Sequence, residues 1–270
     1  MPCFFLKKSA TKACVGQKLV YSSPTMNVKL LSFQKGNAKL GKQIYTFSLP
    51  SGFTCPFAKD CLSKADRLTG KIQDGPDTQF RCFSASQEAL YPAVRNSRWN
   101  NFELIKQAIA NDSLIDLIVS SLPKKATVVR IHVAGDFFSQ TYFNAWLEVA
   151  KLLPNVIFYA YTKSIDYWIA RINDIPSNFK LNASYGGKHD SLIEQYNLKY
   201  AKVVYSVAEA NGMTIDHDDS SAYMQNNSFA LLLHGTQPKG SKAAVALSAL
   251  RKNGIGGYGK QKKAREVALS

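Results

Sequence analysis

Cysteine is scarce, five in 270 residues, and with four histidines and four methionines there are few soft or imidazole donors to distribute. An odd five, three of them inside 28 residues, suits a reducing compartment and a thiolate site better than a disulfide framework. Long apolar runs are also missing, because Lys, Asp or Asn interrupts each candidate within a few residues, so no membrane partner is expected. A secretory signal is not recognisable either: in Met1-Pro-Cys-Phe-Phe-Leu-Lys-Lys the apolar residues precede the charges, the reverse of an export leader. The expected location is therefore cytoplasmic. Disorder is excluded by a composition that is 46% hydrophobic and only 20% charged.

Acid is absent from residues 1–50, which hold eight Lys and so carry +8, and residues 236–270 carry +7, with eight Lys or Arg against Glu266. Together these ends make up the whole net charge of +15, and the 185 residues between them, with 18 charges of each sign, are neutral. Basic ends suit a polyanion, since Lys and Arg beside phosphates release counterions without reading sequence. Nucleic acid is thus a candidate partner through the termini; the plainer reading is a solubilising surface.

Strands are expected at 27–33 and 43–49, the second closed by Pro50-Ser-Gly, followed by a loop with short helical pieces from Phe53 to Phe83. A loop of that length inside a domain is usually functional. Helical runs follow through Val94 and over 101–122. Then strands at 128–133, 156–162, 179–184, 203–207 and 229–233 alternate with helices at 140–153, 165–172 and 190–196. Strands joined by helical crossovers predict an α/β fold with a mostly parallel sheet, as a partial (β/α) barrel. The organisation expected is a basic leader over 1–26, one α/β domain over 27–240 with the cysteine loop at 53–83, and a basic C-terminal helix and tail over 241–270. In the helix from Gln140, Tyr142, Phe143, Trp146, Leu147, Ala150 and Leu153 form one apolar face and are expected in the core.

Alternation along 128–136 places Arg130 and His132 on the face opposite Val129, Ile131 and Val133. Gly135 and Asp136 then stand at the carboxyl end of the strand, where ligands gather in parallel α/β folds. Tyr159, Tyr161 and Lys163 share a face of the next strand, and Lys180, Asn182 and Ser184 one of the strand after. Asp136, Lys163, Ser184, Ser206 with Glu209, and His234 give each strand end a polar group, which favours a site there. Taken singly, His132 suits a hydrogen-bonded core position and Asp136 a helix cap. Asp216-His217-Asp218-Asp219 has the donors for a cation, but reads as an exposed acidic turn.

Cys55, Cys61 and Cys82, spaced C-x5-C-x20-C, directly follow the second strand. Thiolates match zinc and iron–sulfur clusters, which usually take four ligands, so three cysteines leave one position open. The plainer alternative is three buried thiols, but Cys55-Pro and Lys59-Asp60-Cys61 are too polar for a strand core. Cys3 and Cys14 are expected to be free thiols.

Six runs resemble the bacteriophage gene product 88 family: Thr54-Cys-Pro-Phe-Ala-Lys-Asp-Cys, Gly70-Lys-Ile-Gln-Asp-Gly, Phe80-Arg-Cys-Phe-Ser-Ala-Ser-Gln-Glu, Val94-Arg-Asn-Ser-Arg-Trp-Asn-Asn-Phe, Val133-Ala-Gly-Asp-Phe-Phe-Ser-Gln and Tyr159-Ala-Tyr-Thr-Lys-Ser. The resemblance covers about residues 27–235. It implies a virus-encoded protein of the host-cell cytoplasm. The cysteine loop followed by a strand–helix series is similar in layout to radical S-adenosylmethionine proteins. That likeness makes Cys55, Cys61 and Cys82 ligands of a [4Fe-4S] cluster and the Gly135-Asp136 turn part of a cofactor or substrate site. The standard three-cysteine motif is absent, and Gly235-Thr-Gln-Pro-Lys-Gly-Ser-Lys replaces the further cysteines of other members, so a second cluster is not expected.

The function expected on this basis is an iron–sulfur enzyme with S-adenosylmethionine as co-substrate, acting on a small-molecule or macromolecular substrate. Asp136, Lys163 and His132 are its candidate catalytic residues, and Arg130, Gly135, Asp136, Tyr161, Asn182 and Ser184 would contact the bound groups. The alternative is a zinc-stapled nucleic-acid-binding protein without catalysis, using the basic ends and the Arg95-Asn-Ser-Arg98-Trp99 segment on phosphate and bases. A structural phage protein with merely buried thiols is the third reading.

Overall fold

The computed structural model describes residues 29–36, 40 and 43–255. The basic leader, the end of the C-terminal tail, Cys3 and Cys14 therefore lie outside the described residues.

Seven strands form one sheet in the order β1 (Gln34–Lys35), β2 (Ile44–Thr46), β5 (Val128–Ile131), β6 (Ile157–Thr162), β7 (Phe179–Ser184), β8 (Tyr200–Val204) and β9 (Phe229–Leu232). Only β1 pairs antiparallel; from β2 to β9 every pairing is parallel and neighbours follow chain order. Sequential parallel order is the connectivity of a (β/α) barrel; among the described residues β1 and β9 are the two ends of the sheet.

The helices α2 (Pro92–Ala110), α3 (Leu114–Ser121), α4 (Gln140–Leu152), α5 (Ile165–Ile169) and α6 (Ser191–Gln195) meet one face of the sheet. Val129, Ile131, Phe158, Ala160, Phe179, Leu181 and Ala183 supply that face, and Tyr142, Phe143, Trp146, Leu147 and Ala150 of α4 cover it, all buried as the helical period required. Ser139 begins α4 by accepting a hydrogen bond from Tyr142 N at 3.2 Å. The opposite face carries Ile44, Val128, Tyr159, Tyr161, Ala201 and Phe229, and it is covered by the short α7 (Ser220–Met224) through Ala222 and Tyr223.

Several element boundaries differ from the sequence reading, for local reasons. Residues 29–33 are not a strand, because Leu31 N and Ser32 N donate to Ser121 Oγ and Asn101 Oδ1 and so leave the ladder. The helical run over 101–122 is two helices, broken where Asp112 takes φ +50°. Strand β8 ends at Val204, since the next amide, Tyr205 N, donates to Glu209 Oε2. Between Phe53 and Phe83 the chain forms a β-hairpin, β3 (Ser63–Ala65) with β4 (Ile72–Asp74), where helical pieces were expected.

After the hairpin comes α1 (Phe83–Leu90), whose Glu88 is fully buried. Its Oε1 accepts from Ser51 N, Ser51 Oγ and Arg98 Nη1 at 2.9, 2.8 and 2.7 Å. Arg98 also donates to Ser84 O, and Arg95 donates to the carbonyls of Arg67, Leu68 and Glu88. Both arginines are therefore internal clamps, and the proposed phosphate contact by Arg95 and Arg98 is corrected: neither guanidinium faces solvent. Replacing Arg98 by Met should destabilise the protein by about 3 kcal/mol or more, because the buried Glu88 loses its ion-pair partner. A Glu88→Gln/Arg98→Met double variant should recover part of that loss in urea unfolding.

Candidate thiol site at the carboxyl ends of the strands

Strands β2 and β5 stay in register past their named ends, with Phe47 N donating to Arg130 O, Val133 N to Phe47 O and Leu49 N to Ala134 O. This carries Pro50 to the carboxyl edge of the sheet, where the chain turns over the strand ends. Thr54 N and Oγ1 both return to Pro50 O, and Gly52 N donates to Cys55 Sγ at 3.3 Å. The loop then crosses to β7: Lys59 N and Asp60 N donate to Gly186 O, Lys188 N to Phe57 O, and Ala58 bridges Gly187.

The β3–β4 hairpin brings Cys82 back to Cys61 across the twenty intervening residues. Gln79 N and Phe80 N donate to Asp60 O, and Cys82 N donates to Ser63 Oγ at 3.3 Å. The far end is pinned by Gln237, which exchanges hydrogen bonds with Arg81 N and O, while the His234 ring lies 4.6 Å from that of Phe83.

The three thiols lie within each other's electrostatic reach. Burial pushes the Cys55 thiol well above its ordinary value, and the charges of Asp136, Cys82 and Cys61 push it the same way. Burial and Cys61 push Cys82 up to about 11, against the pull of the Ser84 and Ala85 amides at the start of α1. As they stand, Cys55 and Cys82 are protonated at neutral pH, unlike an activated nucleophile. Among the described residues no three His, Cys, Asp or Glu side chains are set as a metal-holding group.

Asp136 follows β5 and is buried beside this triad. Its Oδ1 accepts from Phe137 N and Thr162 Oγ1, at 2.7 and 2.6 Å, and its Oδ2 accepts from Lys163 N at 2.7 Å. It is not the cap of α4, which is Ser139. Burial raises its carboxyl to about 6 despite these donors. Lys163 Nζ continues to the third strand end, donating to Ser184 Oγ, Ser184 O and Tyr185 O at 2.7, 3.1 and 2.8 Å. Asp136, Lys163 and Ser184 thus form a chain over three successive strand ends. Gly135, φ +83°, makes the close approach: a Cβ there would stand 2.5 Å from Thr54 Oγ1 and 2.8 Å from Leu49 Cβ.

Arg130, Tyr161 and Asn182 lie on the face opposite α2 to α6, as alternation required, and under α7. Arg130 pairs with Asp219 and lies 4.9 Å from the centre of the Tyr161 ring. Asn182, in register with Tyr161, donates to Ala160 O and Ala222 O. His132 is a correction. A φ of +64° turns it to the helix side, where Nε2 meets Tyr142 Oη at 3.0 Å and Phe137 packs edge-on, so it does not share the Arg130 face. Burial holds it neutral, with a pKa of about 3. The Asp216–Asp219 turn is only half exposed: Asp216 accepts from the amides of Asp218, Asp219 and Ser221, and Asp219 takes Arg130 and Tyr159 Oη, while His217 and Asp218 face solvent.

Beside the loop opens a cleft of about 570 Å³, walled by Asp60 and Phe80 from the cysteine loop, Tyr185 after β7, and Lys202 and Tyr205 at β8.

The profile of the Gene product 88 family matches residues 29–253. This chain belongs to that family. It is similar to the Gene 88 protein of Mycobacterium phage D29, 32% identical over 138 residues, 47% of this chain and 50% of that protein. The Gene 88 protein of Mycobacterium phage L5 is also 32% identical over 138 residues, 51% of its length. The aligned stretch of this chain thus spans about half the length of these relatives. No solved structure matches.

The Ser51–Glu88–Arg98 clamp, Thr162 and the Gly186-Gly187 turn were not foreseen as parts of the site. Only the diglycine carried a signal, marking a close backbone approach after a strand.

Two outcomes follow from this geometry. Gly135→Ala should cost about 2 kcal/mol in urea unfolding, since it combines a left-handed backbone with overpacking against Thr54. For His132, the depressed folded pKa means that the unfolded chain binds more protons between about pH 3 and 6.5. Stability is therefore lost as pH falls through that window. His132→Asn, which tolerates φ above zero, should reduce the loss between pH 7 and pH 5 by about 2 kcal/mol relative to the parent chain.

Proposed function

We propose that Cys55, Cys61 and Cys82 hold an iron–sulfur cluster and that the chain is a phage-encoded enzyme of the host cytoplasm that uses it with S-adenosylmethionine. The observation that carries this reading is the position of the triad. Three mutually interacting thiols lie in the loop after the first parallel strand, folded over the carboxyl ends of parallel strands in sequence order, where α/β folds place their ligands. The donor chemistry fits: three sulfurs of the protein leave one iron of a [4Fe-4S] cluster for a co-substrate. Closing around it requires each thiol to lose its proton, which metal binding would drive against the burial that now holds Cys55 and Cys82 neutral. When bound, the cluster would supply one-electron reduction of S-adenosylmethionine.

The chain's own residues supply positioning and exclusion of water. Asp136 holds β5 to β6 behind Cys55, Lys163 ties Ser184 to the same edge, and the Gly186 carbonyl anchors the loop between the first two cysteines. Zinc on the same sulfurs is the alternative, and it would make the loop a staple.

Anaerobic purification followed by iron and sulfide assay separates these. Bound iron and sulfide with broad absorbance at about 400 nm is the expected result, abolished by Cys55→Ser, Cys61→Ser or Cys82→Ser. Stoichiometric zinc without colour would establish the staple, and a chain free of both metals after reconstitution would overturn metal binding.

A further inference from the structure

The cleft beside the cysteine loop has a composition that points to one class of ligand. Its volume, about 570 Å³, lies in the range of small-molecule sites, about 300–1,000 Å³. Phe80, Tyr185 and Tyr205 supply aromatic wall, with Phe80 and Tyr205 edge-on at 6.4 Å. Tyr205 is tethered across the opening by its Oη–H donating to Gln79 O at 3.2 Å. Two of the three carboxylates are engaged: Asp190 accepts from Gly186 N and Gly187 N, and Glu209 accepts from Tyr205 N. Asp60 has no hydrogen-bond or ion-pair partner among the described residues, yet its charge reaches the Tyr205 phenol. Lys202 and Lys242 line the same cleft and form no ion pair among the described residues, Lys202 standing 6.0 Å over the Tyr185 ring.

We propose that this cleft binds a guanine nucleotide, its phosphate on Lys202 and Lys242, its base on the aromatic wall and its Watson–Crick edge on Asp60. A carboxylate only accepts, so it matches the paired N–H donors of guanine, whereas adenine sets an acceptor beside its single amino donor. Aromatic faces hold any base by stacking, and the lysines require the anion. The inference deepens the enzymatic reading by naming a substrate class, since Asp60 adjoins Cys61, but its test needs no metal. A colourless chain that binds the nucleotide refutes only the cluster, and an iron-loaded chain that ignores it refutes only this site.

The test is calorimetric titration of the full chain with GMP, AMP and guanosine, together with a 5′-phosphorylated oligonucleotide that begins with guanine. GMP should saturate one site, with AMP and guanosine weaker by about tenfold or more. Lys202→Gln/Lys242→Gln should weaken GMP by about tenfold or more, and Asp60→Asn should remove the preference over AMP. An oligonucleotide that binds tighter than GMP and competes with it identifies a polynucleotide as the source; equal affinity identifies the free nucleotide. Absence of saturation, equal affinity for GMP and AMP, or undiminished affinity in the double lysine variant, which would put the nucleotide on the basic ends, overturns the site.

Discussion

One buried carboxylate organises the edge of the sheet where chemistry is possible. Asp136 accepts two backbone amides and a hydroxyl, from Phe137, Lys163 and Thr162, and so locks the exit of β5 to the exit of β6. A charge this deep is tolerable only because every donor is already in place, and the carboxyl still resists ionisation, its pKa pushed up to about 6. Gly135 beside it lets the cysteine loop descend onto the strand ends, and Ser164 completes the corner by donating to Phe137 O. Loosening Asp136 would free the β5–β6 corner and the surface on which Cys55 rests.

The loop is secured at intervals along its length rather than at its ends alone. Glu88 and Arg98 hold Ser51, Gly186 holds Lys59 and Asp60, the hairpin returns Cys82 to Ser63, and Gln237 closes on Arg81. Only the Gly186 contacts are wholly backbone; the others depend on the side chains of Ser51, Ser63 and Gln237 as well as the ion pair, so change at those residues would release the loop. The buried ion pair behaves differently: its worth lies in the penalty for breaking it, which makes it a determinant of loop geometry more than of net stability.

The regular core was legible because its signals are local. Alternation and helical spacing gave β7 at its observed bounds and α4 to within a residue, and chain-order pairing follows from short helical crossovers. The polar strand ends were legible as a set, since period two assigned Arg130, Tyr161 and Asn182 to one face. That rule failed at His132, where a left-handed backbone reverses the side chain and no neighbouring residue announces it. The hairpin between Cys61 and Cys82 escaped notice because its strands are three residues each, too short for a period. Arg95 and Arg98 were misread for a different reason: basic residues on a polar-looking helix meet their carbonyl and carboxylate partners only in the folded chain.

Where a ligand can enter follows from what already fills the fold. The face of the sheet opposite the large helices, which in a closed barrel would be the interior, is taken up by α7. Asp219 meets Arg130 and Tyr159 there, Asn182 donates to Ala222 O, and Lys199 Nζ donates to the carbonyls of Ser221, Ala222 and Gln225 at the end of the helix. Vacating that face would strand a buried Arg–Asp pair and leave several carbonyls without donors, a cost of several kcal/mol that a small ligand would have to offset before gaining anything. The rim carries no such penalty. Between the cysteine loop and β8, Asp190 and Glu209 keep their backbone partners while Asp60, Lys202 and Lys242 form no ion pair among the described residues, and Asp60 and Phe80 stand one and two residues from Cys61 and Cys82 in the chain. The open approach to the cysteine loop therefore lies outward, over the strand ends.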